Sequence, residues 1–111
     1  MKIEILGTQL DITPSIKKYI EEKIGSLDKM VSRFEHEGDV VAYVEIARST
    51  KHHKHGDVFY AEATLGLPGK TLRAEHEHED IRGAIDMVRD TLRGEMKKYK
   101  EIEVERKKRS N

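Results

Sequence analysis

Residues 57–77 read DVFYAEATLGLPGKTLRAEHE, and this stretch decides the fold. Apolar and polar residues alternate on both sides of Pro68-Gly69, which is the period of a strand with one buried face. A Pro-Gly pair between two such runs is a turn signal. The stretch therefore predicts an antiparallel hairpin of two strands, Asp57–Leu67 and Thr71–Glu77. The side chains expected to point inward are Phe59, Ala61, Ala63, Leu65, Leu72 and Ala74.

Two more strands are predicted upstream of the hairpin, Lys2–Leu6 and Val40–Arg48. The first alternates isoleucine with charged residues, and the second places Ala42, Val44 and Ile46 on one face. The polar segments on either side of the second strand, predicted to be a turn and a loop, are Glu35–Asp39 and Ser49–Gly56.

Two amphipathic helices complete the pattern. The first is predicted from Pro14 to about Ser32, with Thr13 as N-cap and the proline where its missing N–H costs nothing. The second is predicted from His78 to about Glu101, again with apolar residues at helical spacing. The apolar stripe of the first helix consists of Ile16, Ile20, Ile24, Leu27, Val31 and Phe34. The stripe of the second consists of Ile81, Ile85, Val88, Leu92, Met96 and Tyr99.

The element order β-α-β-β-β-α indicates an α+β two-layer sandwich. A right-handed crossover makes the first two strands parallel, and the meander that follows is antiparallel. Both helices need an apolar partner, so two helices are expected to pack on one face of a four-stranded mixed sheet. We assign residues 1–103 to a single domain. Residues 104–111 are basic and lack an apolar pattern, so we expect a flexible tail there.

The composition excludes several classes of protein. The chain has 111 residues, of which 38% are charged, and no cysteine, so disulfides, thiolate catalysis and Cys-ligated zinc are ruled out. The charged N-terminus and the absence of a long apolar run predict a cytoplasmic protein without a membrane span. The surface carboxylates Asp86 and Asp90 have no nucleophile beside them, so we expect neither an enzyme nor a cofactor.

The distribution of charge matters because the total is zero. Lys plus Arg and Asp plus Glu each number 21, which argues against nucleic-acid binding unless the charges cluster. At about 100° per residue, four cations of the second helix fall within a sector of about 40°, and Lys97 lies close by. These four are Arg82, Arg89, Arg93 and Lys100. The outer sheet face should instead carry Glu4, Glu45, Glu62, Glu75 and Glu77.

This pattern predicts a basic helical side and an acidic sheet side. A helix with acidic and basic residues at i, i+4 spacing is also read simply as a solvated face, so the charge pattern alone leaves both interpretations open.

Residues 71–86, TLRAEHEHEDIRGAID, resemble the ribosome hibernation-promoting factor and ribosome-associated inhibitor family, also described as sigma-54 modulation proteins. The matching positions in this stretch are Arg73-Ala74-Glu75, Asp80-Ile81 and Ala84-Ile85-Asp86. Further positions that resemble the family are Ile3 to Gly7, Asp11-Ile12-Thr13, Tyr19, Lys23, Leu27, Arg33, Leu65 to Gly69, Leu92 and Lys97 to Lys100. The resemblance covers nearly the whole chain in the same order of elements.

The resemblance implies a translation inhibitor that binds the small ribosomal subunit and its 16S-type rRNA. It would lie in the decoding cleft between head and body and block messenger and tRNA sterically, without cofactor or small-molecule substrate. We expect a monomer when the protein is free. The residues expected to contact RNA phosphates are Lys23, Arg33, Arg82, Arg89, Arg93, Lys97, Lys98 and Lys100.

The chain also departs from the family. Arg82 stands where the family commonly has an aromatic residue, and Thr91 and Gly94 stand where it commonly has basic residues. The sequence ends at Asn111 without the C-terminal dimerisation domain of the long subclass, so we expect a short form.

Three alternatives remain from the residues alone. His52, His53 and His55 suit a metal in residue type, but without cysteine a solvated loop and no metal are expected. Tyr43 and Tyr60 resemble an RNA-stacking platform, but the surrounding glutamates favour a cross-strand aromatic pair. The second functional hypothesis is a regulatory protein-interaction module that acts through the acidic sheet face.

Overall fold

The computed structural model describes residues 1–49 and 58–109. The strands are β1 (Lys2–Thr8), β2 (Val41–Arg48), β3 (Phe59–Leu67) and β4 (Lys70–His78). The helices are α1 (Pro14–Gly25), α2 (Asp28–Val31), a 3-10 helix (Ser32–Glu37) and α3 (Ile81–Arg109). Residues 50–57 lie outside the described residues, and they include all of the predicted loop Ser49–Gly56 except Ser49, with its three histidines.

The four strands form one sheet in the order β1-β2-β3-β4. β1 and β2 are parallel, and the other two pairs are antiparallel. Alternate strand residues such as Ala42, Val44 and Ala63 are buried against the helical layer, while their neighbours face outward. The predicted α+β architecture, with one face of a four-stranded mixed sheet covered, is confirmed.

The start of α1 is built as the sequence predicts, but the predicted start of the second helix at His78 was wrong, because His78 ends β4 and α3 begins at Ile81. Thr13 Oγ1 accepts a hydrogen bond from the backbone N–H of Ile16 at 3.2 Å, and Pro14 follows it. Before α3, Asp80 Oδ1 accepts from the N–H of Arg82 at 3.0 Å. These caps satisfy donors that the first turn of a helix leaves unpaired. The predicted apolar stripes are also confirmed, since Ile20, Ile24, Leu92 and Met96 are fully buried.

The prediction of one continuous first helix was wrong. α1 ends at Gly25, and the chain continues as α2 and then as a 3-10 helix through Glu37. Gly25 weakens the helix, and the Ser26 hydroxyl donates to the carbonyl of Lys23, which competes with continued helix. The break keeps Leu27 in the core. The predicted polar turn at residues 35–39 is therefore largely 3-10 helix.

The predicted end of the last helix was also wrong. α3 runs past Glu101 to Arg109 and includes most of the segment assigned to a tail. Glutamates in the last turns pair with arginines one turn later, Glu103 with Arg106 at 3.4 Å and Glu105 with Arg109 at 4.0 Å. Such pairs and the cations at the C-terminus stabilise a helix without an apolar stripe. The division into domain and tail stays a prediction.

Within the described ranges, no helix combines the length and the apolar character needed to cross a membrane.

Gly7 offers a test of packing at the end of β1. A Cβ at this position would lie 2.5 Å from the carbonyl oxygen of Leu10, which is backbone and cannot swing away. We expect Gly7→Ala to lower the free energy of unfolding by about 1–3 kcal/mol. Gly94 lies in α3, where an added Cβ would have no neighbouring atom within 4 Å, so Gly94→Ala should raise it by about 1 kcal/mol. Urea unfolding of both variants checks these expectations. A change in the free energy of unfolding with the same sign in both variants would contradict them.

Candidate nucleic-acid interface

Tyr19 joins the two main helices. Its hydroxyl donates a hydrogen bond from α1 to Asp86 Oδ1 on α3, at 2.8 Å. Burial raises the pKa of Tyr19, and the hydrogen bond to Asp86 raises it further. The phenol therefore stays protonated and keeps donating at neutral pH. Asp86, predicted to lie on the solvent face, is half-buried at this contact.

Cations from both helices surround this tyrosine. Lys23 Nζ lies 5.4 Å from the centre of the Tyr19 ring, and Arg82 Cζ lies 5.3 Å from it. Both distances are within the range of cation–π attraction. Arg82 Nη2 also donates to Ser15 Oγ at 2.8 Å, which ties its guanidinium to α1. We call Tyr19, Lys23, Arg82, Asp86 and Arg89 the Tyr19 cluster.

Arg89 is less exposed than Arg82. Its side chain is 18% exposed, and Nε donates to Asp90 Oδ1 at 2.7 Å. Its charge opposes the rise in the pKa of Tyr19, as does the charge of Arg82, because cations favour the phenolate. The two arginines thus act on the same ring, as their shared sector of the helix predicts.

The basic surface continues along α3. Arg93 is half-buried, whereas Lys97 and Lys100 are exposed and line a shallow hollow beside Glu101. Among residues 1–49 and 58–109, none of these three cations makes an ion pair. Glu101 and Glu105 line the same hollow but lie beyond ion-pair distance of these lysines.

Two predicted site residues lie apart from this stripe. Lys98 is 16 positions after Arg82, which places it roughly 160° around the helix, and its Nζ is 3.7 Å from Glu95 Oε1. Arg33 belongs to the 3-10 helix, and its guanidinium lies 5.7 Å from the ring centre of Phe34. The structure thus groups six of the eight predicted residues, and these two have other surroundings.

Two of the three departures from the family, Thr91 and Gly94, lie on another flank of α3. Thr91 Oγ1 is 2.7 Å from His76 Nε2 of β4, so this position is used in helix–sheet contact. Gly94 is exposed with open space around it. Counting about 100° per residue, both face away from the Tyr19 cluster. Arg89 and Arg93 therefore supply charge on a different side of the helix from positions 91 and 94.

The outer face of the sheet has the opposite charge. Register places Glu62 beside Glu45 on one side and beside Glu75 on the other. Like charges directly opposite each other destabilise a sheet unless they are compensated. Arg73 Nη2 lies 2.9 Å from Glu62 Oε2 and 3.0 Å from Glu75 Oε2, and the Tyr60 hydroxyl also hydrogen-bonds with both carboxylates.

The predicted cross-strand pair of tyrosines was wrong. Tyr43 lies opposite Thr64, and Tyr60 lies opposite Ala47, because the register separates the rings along the strands. Tyr60 is instead fixed by the glutamate network, and burial raises its pKa. Tyr43 is 56% exposed.

Two of the histidines that the structure describes, His76 and His78, have structural contacts. His76 contacts Thr91, and His78 Nδ1 accepts from the N–H of Asp80 at 2.9 Å. No group of three or more potential ligand side chains that could hold a metal ion occurs among the described residues. The prediction about His52, His53 and His55 falls outside those residues.

The sequence analysis did not identify the hydrogen bond between Tyr19 and Asp86, which joins α1 to α3 at this surface. Tyr19 entered only as a family match, and Asp86 only as a family match and a surface carboxylate. The i, i+4 spacing of Tyr19 and Lys23 was the available signal, since that spacing stacks side chains on a helix. The hydrogen bond to Asp86 spans 67 positions and leaves no local pattern.

The glutamate network on the outer face of the sheet predicts that the stability of the fold depends on pH. Hydrogen bonds from Tyr60 and then Arg73 hold the pKa of Glu75 below its usual value. A lowered pKa stabilises the fold above the unfolded-state value, and this contribution is lost as pH falls through the folded-state value. Glu75→Gln should therefore unfold at lower urea than wild type at pH 7, and the gap should narrow as the pH falls below the usual pKa of a glutamate. Glu79→Gln, an exposed residue outside the network, is the control and should leave no such gap.

Comparison with known proteins places the chain among its relatives. A family model described as Sigma 54 modulation protein / S30EA ribosomal protein matches residues 3–103. A ribosome hibernation promoting factor from Azotobacter vinelandii is 36% identical over 106 residues, covering 96% of this chain and 89% of the relative. Ribosome hibernation promotion factors from Lactococcus lactis and Staphylococcus aureus are 37% and 34% identical over 100 residues. This chain covers 50% and 48% of their lengths.

Solved structures show the same fold. The N-terminal domain of Protein Y from Thermus thermophilus superposes with a TM-score of 0.71 at 32% identity, covering 89% of this chain and 99% of that one. A ribosomal subunit interface protein from Coxiella burnetii gives 0.70 at 22% identity, covering 90% and 98%, and shows a likeness of fold alone. Since the family match spans residues 3–103 and the A. vinelandii relative aligns over most of its length, this chain belongs to the sigma-54 modulation / S30EA ribosomal protein family.

Proposed function

We propose that this protein is a cytoplasmic hibernation factor that binds the small ribosomal subunit through its 16S-type rRNA. It occupies the decoding cleft and blocks messenger and tRNA by steric exclusion. The observation that carries the proposal is the stripe of cations on α3. Arg93, Lys97 and Lys100 make no ion pair within the described part of the chain, although the protein has no net charge.

The Tyr19 cluster orders one end of this stripe. Lys23 and Arg82 are held against one ring, so less side-chain freedom is lost when they meet a phosphate. Phosphate contacts fix position and orientation but read no bases, so recognition depends on the shape of the RNA.

The separation of charge orients the protein during association. The glutamates of the sheet face repel phosphate, whereas the cations of α3 attract it. A steric block needs occupancy and no bond-making step. The names of relatives from three organisms, all ribosome hibernation factors, support this function.

Replacing the three cations of the stripe tests the surface. In Arg93→Gln/Lys97→Gln/Lys100→Gln, we expect the fold to persist and the salt dependence of small-subunit binding to fall by about two to three in log–log slope. The measurement is co-sedimentation with small subunits, large subunits and whole ribosomes across a salt series. Unlabelled tRNA and messenger should compete with the wild-type protein.

The matched control removes the same charge elsewhere. Lys2→Gln/Lys18→Gln/Lys98→Gln replaces exposed lysines that pair with Glu4, Glu22 and Glu95. It should bind as wild type does. Equal loss in both triple variants would point to bulk charge and sink the proposed surface, and absence of wild type from every pellet at low salt would reject ribosome binding.

Two substitutions of Tyr19 separate its contribution to stability from its contribution to binding. Tyr19→Phe keeps the ring but removes the hydrogen bond to Asp86, so the protein should lose about 1 kcal/mol of stability with a small change in binding. Tyr19→Leu also removes the ring that holds Lys23 and Arg82, so small-subunit affinity should fall further. Thermal unfolding and sedimentation check the pair, and identical affinities would show that the ring has no positioning role.

A specific observation favours a second candidate, a protein contact on the sheet face. Leu6 is 61% exposed beside the exposed Tyr43, and both line a shallow groove with Glu4, Glu45 and Glu62. Leu6→Ser/Tyr43→Ser leaves the Arg73 network intact. If this variant loses its partner while the α3 triple variant keeps it, the sheet face is the functional surface.

A further inference from the structure

A second cation-lined cleft lies where the 3-10 helix, the β3–β4 turn and the last turns of α3 meet. Its volume is about 290 Å³. The side chains Arg33, His36, Arg106 and Lys107 line it together with the rings of Phe34 and Tyr99. Of these, only Arg33 belongs to the surface predicted from sequence.

The floor of the cleft is aromatic and held in place. The rings of Phe34 and Tyr99 are 5.3 Å apart between centroids and tilted by 42°. The Tyr99 hydroxyl donates to the carbonyl of Pro68 at 3.2 Å, which ties α3 to the hairpin turn. Arg33 lies 5.7 Å from the Phe34 ring centre, so its guanidinium is positioned over this floor.

The charge of the cleft is positive. Glu103 is the one carboxylate among its described lining residues, and Arg106 Nη1 lies 3.4 Å from it. Arg33 adds a positive charge outside that pair, and Lys107 also lines the cleft. Arg106 and Lys107 reach Arg33 only because α3 continues past Glu101.

We propose that this cleft binds one nucleotide of single-stranded RNA. Arg33, Arg106 and Lys107 contact its phosphate, and the rings of Phe34 and Tyr99 contact its sugar or base. A positive groove combined with aromatic rings is the usual means of binding single strands. A cleft of about 300 Å³ is at the lower end for a small ligand and does not admit a duplex. The inference deepens the proposed function and concerns a site separate from the Tyr19 cluster.

Nuclear magnetic resonance titration of the whole ¹⁵N-labelled chain tests the site. The probes are the hexanucleotide of uridylate, uridine monophosphate and inorganic phosphate. We expect saturable shifts of the Phe34 and Gly69 amides with the hexanucleotide and weaker effects with the other two. Absence of those shifts overturns the inference. Equal affinity for the hexanucleotide and the mononucleotide also overturns it, in favour of a free-nucleotide site.

Two triple variants, each lacking three positive charges, show whether weaker binding is specific to the cleft. Arg33→Gln/Arg106→Gln/Lys107→Gln should weaken hexanucleotide binding roughly tenfold, since charge contacts dominate such complexes. Lys2→Gln/Lys18→Gln/Lys98→Gln removes three exposed lysines outside the cleft and should stay close to wild type. Equal weakening in both overturns the site. Phe34→Leu keeps an apolar floor without a ring. Unchanged hexanucleotide binding in this variant would show that the Phe34 ring makes no contributing contact with the nucleotide.

Failure of this inference differs from failure of the proposed function. If wild type sediments with small subunits but its cleft amides do not respond to the hexanucleotide, the cleft inference fails alone. If the amides respond but wild type never sediments with ribosomes, the proposed function fails and the single-strand site stands.

Discussion

The constraint on which the structure depends is that one face of one sheet must cover every apolar helix surface. β1 and β2 are parallel, so the chain crosses over through α1 on the same side that α3 later occupies. The two helices therefore meet edge to edge, and Tyr19 closes the seam by bonding to Asp86. The Tyr19 cluster, with cations from both helices, is a direct result of this one-sided packing.

One-sided packing also leaves a whole sheet face in water. That face carries neighbouring glutamates, and Arg73 and Tyr60 compensate part of their repulsion. Cations cluster in one sector of α3 and glutamates on the outer face of the sheet, so a neutral chain has local patches of opposite sign. Net charge alone would have argued against any polyanion as a partner.

The sequence predicted what local periodicity and capping determine. Alternation located the strands, and helical spacing located the buried stripes, including Ile20 and Leu92. Prediction from the sequence failed where opposing local contributions to helix stability are small. It also failed where a contact joins residues that are far apart in the chain. Gly25 and Ser26 broke the first helix against a continuous apolar stripe, and ion pairs extended α3 where no stripe existed. For the site, angular spacing grouped Arg82, Arg89 and Arg93, but the family resemblance had added Lys98, which helix geometry places elsewhere.

The extension of α3 has a consequence for how the protein responds to its ionic environment. At about 1.5 Å per residue, a helix of 29 residues is longer than a strand of 9 residues, so its last turns project beyond the sheet. Glu103–Arg106 and Glu105–Arg109 support these turns, and salt screens such exposed pairs. Ionic strength thus acts twice at this end of the molecule. It screens the attraction for a polyanion, and it also weakens the helical order that carries Arg106 and Lys107 to Arg33.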